Sequence, residues 1–222
     1  MAASPGPLAV GGTVNANISV DGVDYQIVLT NPDDHIQKHL LGGEPYEHKM
    51  LRDMANRCRG VVVDAGANIG NHTLYMASRG FPVFAFEPDP VLADAIVQSA
   101  ELNGLNNVHV APIGLGSEAT TARLIDGPNG NVGGQSLKVD RPGVDVLPLD
   151  EFDIPASIIK IDVEGMEFKV LHGAQKTIAK YRPLLYVEGH RWGPLAKWAK
   201  DNGYVRKAKF NASPTYLLVP GE

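Results

Sequence analysis

The sequence predicts an α/β protein built on a mostly parallel sheet, and three observations carry that reading. Short apolar runs alternate with helical patterns from residue 61 onward. Strands that alternate with helices pair in parallel, with helices on both faces. The first of these runs ends in a glycine-rich turn that opens a helix, where open sheets of this kind bind ligands. Two β-prone runs, 204–210 and 216–219, close the chain as a hairpin that adds an antiparallel strand.

Composition narrows the class. The 222 residues fit one sizeable domain with a modest N-terminal extension, and a hydrophobic share of 44% is enough for a full core. A net charge of -5 argues against a nucleic-acid partner, whose phosphates ask for a basic face. Arg206, Lys207 and Lys209 are a local exception that reads as a solvated strand edge. The single cysteine, Cys58, cannot form an internal disulfide and reads as a small buried residue near a helix end. Residues 1–12 are rich in Ala, Pro and Gly and lack the basic and apolar regions of a signal peptide. No apolar run approaches the roughly 20 residues that span a bilayer. The expectation is a cytoplasmic protein with no membrane contact, and its oligomeric state is left open.

Each element has a local reason. Residues 14–20 and 25–30 are β-prone runs joined by Asp21-Gly22, a hairpin signal. Residues 33–57 turn helical and are broken in two by Gly42, Gly43 and Pro45. Val61, Val62 and Val63 suit a strand buried on both faces. A helix is expected over 71–78, a strand over 82–86, and a helix with Asp89 as N-cap and Pro90 in its first turn. Further strands are expected at 108–110, 157–163 and 184–188, with one helix carrying Phe168, Leu171, Ala174 and Ile178, and a last helix over 194–201. The stretch 111–149 breaks the rhythm with short strand-like runs around a glycine-rich loop, 127–134. Residues 1–32 thus read as an extension with a hairpin, and 33–222 as the ligand-binding domain.

The strongest signal is Asp64-Ala65-Gly66-Ala67-Asn68-Ile69-Gly70. Glycines between a strand and a helix permit a tight turn and a close ligand. The spacing is not G-x-G-x-x-G. An acid directly after the strand would repel the pyrophosphate of a dinucleotide but favour the sulfonium and ammonium groups of S-adenosylmethionine. Glu87, ending the next strand ahead of Pro88, suits the two ribose hydroxyls. The cofactor set is therefore Asp64, Gly66, Asn68, Gly70, Asn71, Glu87 and Pro88.

With these residues the chain resembles the FkbM family of S-adenosylmethionine-dependent methyltransferases. The resemblance runs on through Tyr46-Glu47, Gly133-Gly134-Gln135-Ser136-Leu137, Lys160-Ile161-Asp162-Val163-Glu164-Gly165, Leu171-His172-Gly173-Ala174 and Tyr186-Val187-Glu188. It covers roughly residues 33–190. It implies a Rossmann-like class I methyltransferase fold with a seven-stranded sheet, and O-methylation of a hydroxyl on a small molecule or glycan. It also adds Glu47 to the cofactor set.

Lys160, Asp162 and Glu164 alternate, which points them to one side of a strand end. Glu188 and His190 do the same on the next strand, which the family fold implies is a neighbour. Methyl transfer to oxygen needs an aligned nucleophile and a group to take its proton. His190, with an unperturbed pKa of about 6.5, is the first candidate base, with Asp162 and Glu164 assisting. Gln135, Ser136 and Glu188 are expected to touch the acceptor, with 127–136 as a flap over it. Asp, Glu and His together also suit a divalent ion such as Mg²⁺, but the spacing is not that of a dedicated cage and a metal is not favoured. Two competing readings are an NAD-dependent oxidoreductase, disfavoured by Asp64 and the missing dinucleotide motif, and a non-catalytic Rossmann-like binding module, disfavoured by the polar strand ends.

Overall fold

A computed structural model describes residues 14–125, 136–138, 143–189 and 191–221. The first strands, β1 (Val14–Val20) and β2 (Val23–Leu29), form the expected antiparallel hairpin. Its turn residues Asp21 and Gly22 both have positive φ, 52° and 79°, the paired left-handed geometry that matches strand twist. Helices α1 (His35–Leu40) and α2 (His48–Arg57) follow. The Asp21 carboxylate accepts from the Tyr75 hydroxyl and pairs with His48, both at 2.7 Å, which fastens the hairpin to the helices beneath it.

The main sheet starts with β3 (Val61–Ala65), followed by α3 (Asn71–Ser78), β4 (Val83–Phe86), α4 (Pro90–Leu102) and β5 (Val108–Ala111). The Asp89 side chain accepts from the Val91 and Leu92 N–H groups, the cap expected at that helix start. After β5 the chain makes a second, four-stranded sheet from β6 (Gly114–Leu115), β7 (Thr120–Ile125), β8 (Ser136–Lys138) and β9 (Val144–Leu147). Its order is β6-β9-β7-β8.

The chain then returns to the main sheet with β10 (Ala156–Ile161), α5 (Glu167–Gly173), α6 (Gln175–Tyr181), β11 (Leu184–Glu188), α7 (Trp192–Asp201), β12 (Tyr204–Phe210) and β13 (Thr215–Pro220). The seven strands run in the order β12-β13-β11-β10-β3-β4-β5, parallel except for β13, which lies antiparallel to β11 and β12. Period-2 alternation splits each central strand between two cores. Val62, Ile158, Tyr186 and Leu217 join a cluster with the hairpin and residues of α2, α3 and α4. Val63, Ile159, Leu185 and Leu218 join a cluster with residues of α5, α6 and α7.

Two elements differ from the sequence expectation. The helix expected across Phe168 to Ile178 is two helices that meet at Ala174. There Gly173 backs so closely on Gly116 that an added Cβ would stand 1.9 Å from the Gly116 oxygen. The second helix is capped from a distance, with the Asp150 carboxylate accepting from the Lys176 and Thr177 N–H groups at 2.9 and 2.8 Å. The strand expected to reach residue 163 ends at Ile161, because Glu164 (φ 50°) and Gly165 (φ 98°) turn the chain away.

Among the described residues no helix is long and apolar enough to cross a membrane. Arg206 and Lys207 are exposed on the edge strand β12, and Cys58 is buried at the end of α2 with its thiol 3.2 Å from the Gly60 oxygen.

Candidate active site

Strand order reverses between β3 and β10: the chain leaves β3 toward β4 and β5 and later returns to β10 on the other side. A crevice opens beyond the carboxyl ends of the strands at such a switch point, and both sequence signals lie there. The turn after β3 is held to the end of β4, with Gly66 and Ala67 N–H groups donating to the Phe86 oxygen at 3.0 and 3.2 Å. Gly66 has φ +76°, and a Cβ on it would stand 1.8 Å from the Asp162 backbone oxygen. Only glycine lets the turn and the end of β10 touch in this way. Gly70, at φ +88°, begins α3, and a Cβ there would meet Ile96 at 3.0 Å, so this glycine serves the packing of α3 on α4.

Glu87 sits at the rim of the turn and is 5% exposed. One of its oxygens accepts from the Asn68 N–H at 2.7 Å and the other from the Asp89 N–H at 2.9 Å. Burial pushes its carboxyl up to about 7 although both N–H groups pull the other way. Asn71 is occupied by a reciprocal pair: its amide donates to the Tyr46 oxygen and its side-chain oxygen accepts from the Tyr46 N–H, each at 2.9 Å. This pins Tyr46 and Glu47 over the start of α3. Glu47, itself in the left-handed region at φ 59°, faces His72 at 3.3 Å. Burial works against its charge, but His72 and Lys160 outweigh that and hold it below the ordinary carboxylate range.

Lys160 is the residue to which sequence reasoning assigned no role. It is 3% exposed, and its ammonium donates to the Gly66 oxygen at 2.7 Å and lies 3.1 Å from Asp64 and 3.7 Å from Asp162. The signal was a single cation inside an apolar strand, Ala156–Ile161. Burial opposes its charge, but the Asp64 and Asp162 carboxylates hold it above the usual lysine range. Asp64 is 1% exposed and is spent on Lys160 and on the Thr73 hydroxyl, which donates to it at 2.7 Å. Its charge therefore sits behind the turn and is balanced there.

The strand ends bring Asp162, Glu164 and Glu188 together, with one oxygen of each within 4.8 Å of the others. Burial pushes the Asp162 carboxyl up to about 7, opposed by Lys160 and reinforced by the charge of Glu188 and a hydrogen bond with it. Its side chain keeps an open face, 35% accessible. Glu188 also accepts from the Ser213 hydroxyl. Three hard carboxylates could take a divalent ion, but an acidic cluster alone does not ask for one. His190 and Gln135 lie outside the described residues, as do 1–13 and most of the flap, 126–135. Ser136 is half-buried in β8, opposite Ile125.

A cleft lined by Glu47, Gly66, Glu87, Lys160, Asp162 and Glu164 holds about 880 Å³ of empty space including its mouth, with Glu188 outside its lining in a neighbouring depression beside Phe168 and Leu195. Glu87 and Pro88 line one part and Asp162 and Glu164 another. Between them the walls are apolar, and Leu115, Leu124 and Leu137 come from the small sheet. Leu115 and Leu124 carry no sequence signal for this role, because short runs do not tell which sheet they join. A cleft lined by the carboxylates of Glu47, Glu87, Asp162 and Glu164 and by apolar side chains suits a nucleoside that carries a cationic side chain.

Comparison with known proteins bears on the same region. Residues 64–207 match the family described as "Methyltransferase FkbM domain". Methyltransferase sdnD of Sordaria araneosa is 44% identical over 117 residues, covering 50% of this chain and 42% of that protein. Methyltransferase 1 of Beauveria bassiana is 33% identical over 143 residues, covering 50% and 57%. The hexuronic acid methyltransferase AglP of Haloferax volcanii is 28% identical over 121 residues, covering 51% and 49%. The chain thus spans about half the length of the curated relatives it matches. Among solved structures, Methyltransferase FkbM from Methylobacillus flagellatus superposes with a TM-score of 0.55 at 23% identity, over 83% of this chain and 52% of that one. TYW2 of P. horikoshii, solved with MeSAdo, gives 0.52 at 17%, over 94% and 71%. These likenesses show a methyltransferase fold of class I. The family match takes in more than half of the residues, and the chain belongs to the FkbM methyltransferase family.

Proposed function

We propose that the chain transfers a methyl group from S-adenosylmethionine to a hydroxyl of a small molecule or glycan. The observation that carries this is the distribution of charge along the cleft. Glu47, Glu87, Asp162 and Glu164 line it, with Lys160 as their cation. Such a cleft attracts a positively charged nucleoside and repels a pyrophosphate. Gly66 leaves no room for a side chain, Glu87 offers carboxylate oxygens to the ribose, and the apolar wall of Leu115, Leu124 and Leu137 suits a base. Glu47 and His72, pinned above the turn by Tyr46 and Asn71, suit the amino-acid end.

Bound S-adenosylmethionine supplies a methyl group already activated by its sulfonium. The chain's own task is to orient a hydroxyl and take its proton. Asp162 fits that task at neutral pH, since burial and Glu188 raise its proton affinity toward the working range. Glu164 and Glu188 would then hold the acceptor. His190, outside the described residues, is the other base consistent with the sequence. The name of the Haloferax volcanii relative, a hexuronic acid methyltransferase, supports a hexuronic acid among the candidate acceptors.

The test is calorimetry with S-adenosylmethionine, S-adenosylhomocysteine and NAD. Binding of the first two without NAD is expected. Selective binding of NAD, or of none of the three, refutes the reading.

A further inference from the structure

Among the described residues that line the cleft, Lys160 is the one lysine or arginine, against the carboxylates of Glu47, Glu87, Asp162 and Glu164. It is buried beside a cleft read as the site of a cationic ligand, where a second cation opposes binding. Three contacts explain its position: the carbonyl of the donor turn at Gly66, the acid behind that turn at Asp64, and the acid at the strand end beside the turn at Asp162. One ammonium thus joins the donor side to the acceptor side. A packing role would be met more cheaply by an apolar residue, because removing two or three charges from water carries a penalty that their attraction only partly returns.

We propose that Lys160 is a positioning residue that sets the charge of the donor cleft, tying the glycine turn to Asp162 and limiting how strongly the cleft prefers a cationic donor over a neutral thioether. This rests on the reading of the cleft as a site for S-adenosylmethionine. Transfer of the methyl group removes the sulfonium charge. A fixed cation nearby therefore disfavours the bound donor more than the transition state, where that charge is already dispersing. Without Lys160 the acids would hold the donor tightly in its ground state, which lowers the apparent donor constant without helping turnover.

The experiment compares affinities for S-adenosylmethionine and S-adenosylhomocysteine in wild type, Lys160→Met, Lys160→Arg and Asp64→Asn, measured by calorimetry on protein shown to be folded by circular dichroism. The ratio of the two affinities is the readout, since damage to packing weakens both ligands together. A unit charge on the order of 10 Å away at an effective dielectric of about 20 changes an equilibrium by about tenfold. Measured at about pH 9, where Asp162 stays ionised without its ammonium partner, Lys160→Met should move the ratio about tenfold toward S-adenosylmethionine, and Lys160→Arg should restore the wild-type ratio. Asp64→Asn leaves the ammonium short of a partner and should move the ratio the other way, which keeps the proposal testable if Lys160→Met does not fold. An unmoved ratio in folded Lys160→Met, or in Asp64→Asn where the first does not fold, overturns the role of Lys160 while leaving donor binding intact. Failure of the wild type to bind either nucleoside overturns the reading of the cleft itself.

Discussion

Gly66→Ala tests the contact on which the site is built. The substitution brings two separate costs. Alanine at φ +76° occupies the left-handed region, which costs an L-residue about 1–2 kcal/mol. Its Cβ would also stand 1.8 Å from the Asp162 oxygen, where contacts under 3.0 Å essentially never occur. The turn and the end of β10 must therefore part by more than an ångström, and overpacking of this kind costs about 1–3 kcal/mol. Together these predict a loss of about 2–5 kcal/mol in unfolding free energy, or roughly 5–15 °C in Tm for a chain of this size. The displacement also separates the Gly66 oxygen from the Lys160 ammonium, so donor affinity should fall at least tenfold in calorimetry. Gly80→Ala is the internal control: it has φ +87° but nothing within 4 Å of an added Cβ. It should show the conformational cost alone, about 1 kcal/mol, with donor affinity unchanged. If urea unfolding gives the two variants equal losses, and Gly66→Ala binds donor as the wild type does, the close approach of turn and strand end has no energetic weight.

Other perturbations separate the parts of the cleft. Glu87→Ala should weaken S-adenosylmethionine by at least tenfold, and unchanged affinity would remove Glu87 from the ribose site. Glu87 also carries a pH signature: its folded value is raised by burial to about 7, so its stabilising effect is full below the unfolded carboxyl value and is lost as pH rises through about 7. The Tm advantage of wild type over Glu87→Gln should therefore shrink between about pH 4.5 and pH 7, and a constant gap refutes the shift. Asp162 acts as a base only when deprotonated, so kcat/KM for the donor, which reports the free protein, should fall as pH drops below about 7, and Asp162→Asn should lose turnover far more than donor affinity. Full turnover in Asp162→Asn with loss in His190→Ala would move the base to His190. Leu124→Ala should weaken donor binding roughly tenfold, the scale of one leucine side chain losing its burial; calorimetry showing no change would separate the small sheet from the nucleoside.

What the sequence carried was local in origin. The Asp21-Gly22 hairpin, the Asp89 cap and the valines of β3 each depend on neighbours a few residues away, and each appears where the pattern puts it. The pairing of β10 with β11 came instead from the implied family fold, and the structure contains it. What the sequence did not carry depends on remote partners. Asp150 caps α6 from 25 residues upstream, and Gly173 backs on Gly116 from 57 residues away, so the break at Ala174 is set by remote partners. The stretch 111–149 becomes a second sheet because Gly114 pairs with Val146 and Thr120 with the same residue, a register set by tertiary packing. The charge of Asp64 was read as facing the ligand, and nothing local revealed that Lys160, 96 residues on, would balance it from the neighbouring strand.

That last pairing bears on how the two halves of the reaction are linked. Lys160 and Asp64 lie directly opposite each other in the parallel pair of β10 and β3. The Asp162 N–H donates to the Ala65 oxygen at 3.1 Å, one residue before the turn, while the Lys160 ammonium holds the Gly66 oxygen at its apex. Gly66 in turn rests against the Asp162 carbonyl. The turn that would seat the donor and the carboxylate that would take the acceptor proton are therefore parts of one tightly bonded piece of backbone, with no loop between them to absorb a change. Donor seating and base position must then shift together. The sequence paid for this with glycine at one contact and a buried charge at another, both unfavourable on their own. An apolar residue in place of Lys160 would remove the cost of a buried charge, but the turn would then lose the ammonium that ties it to the strand end.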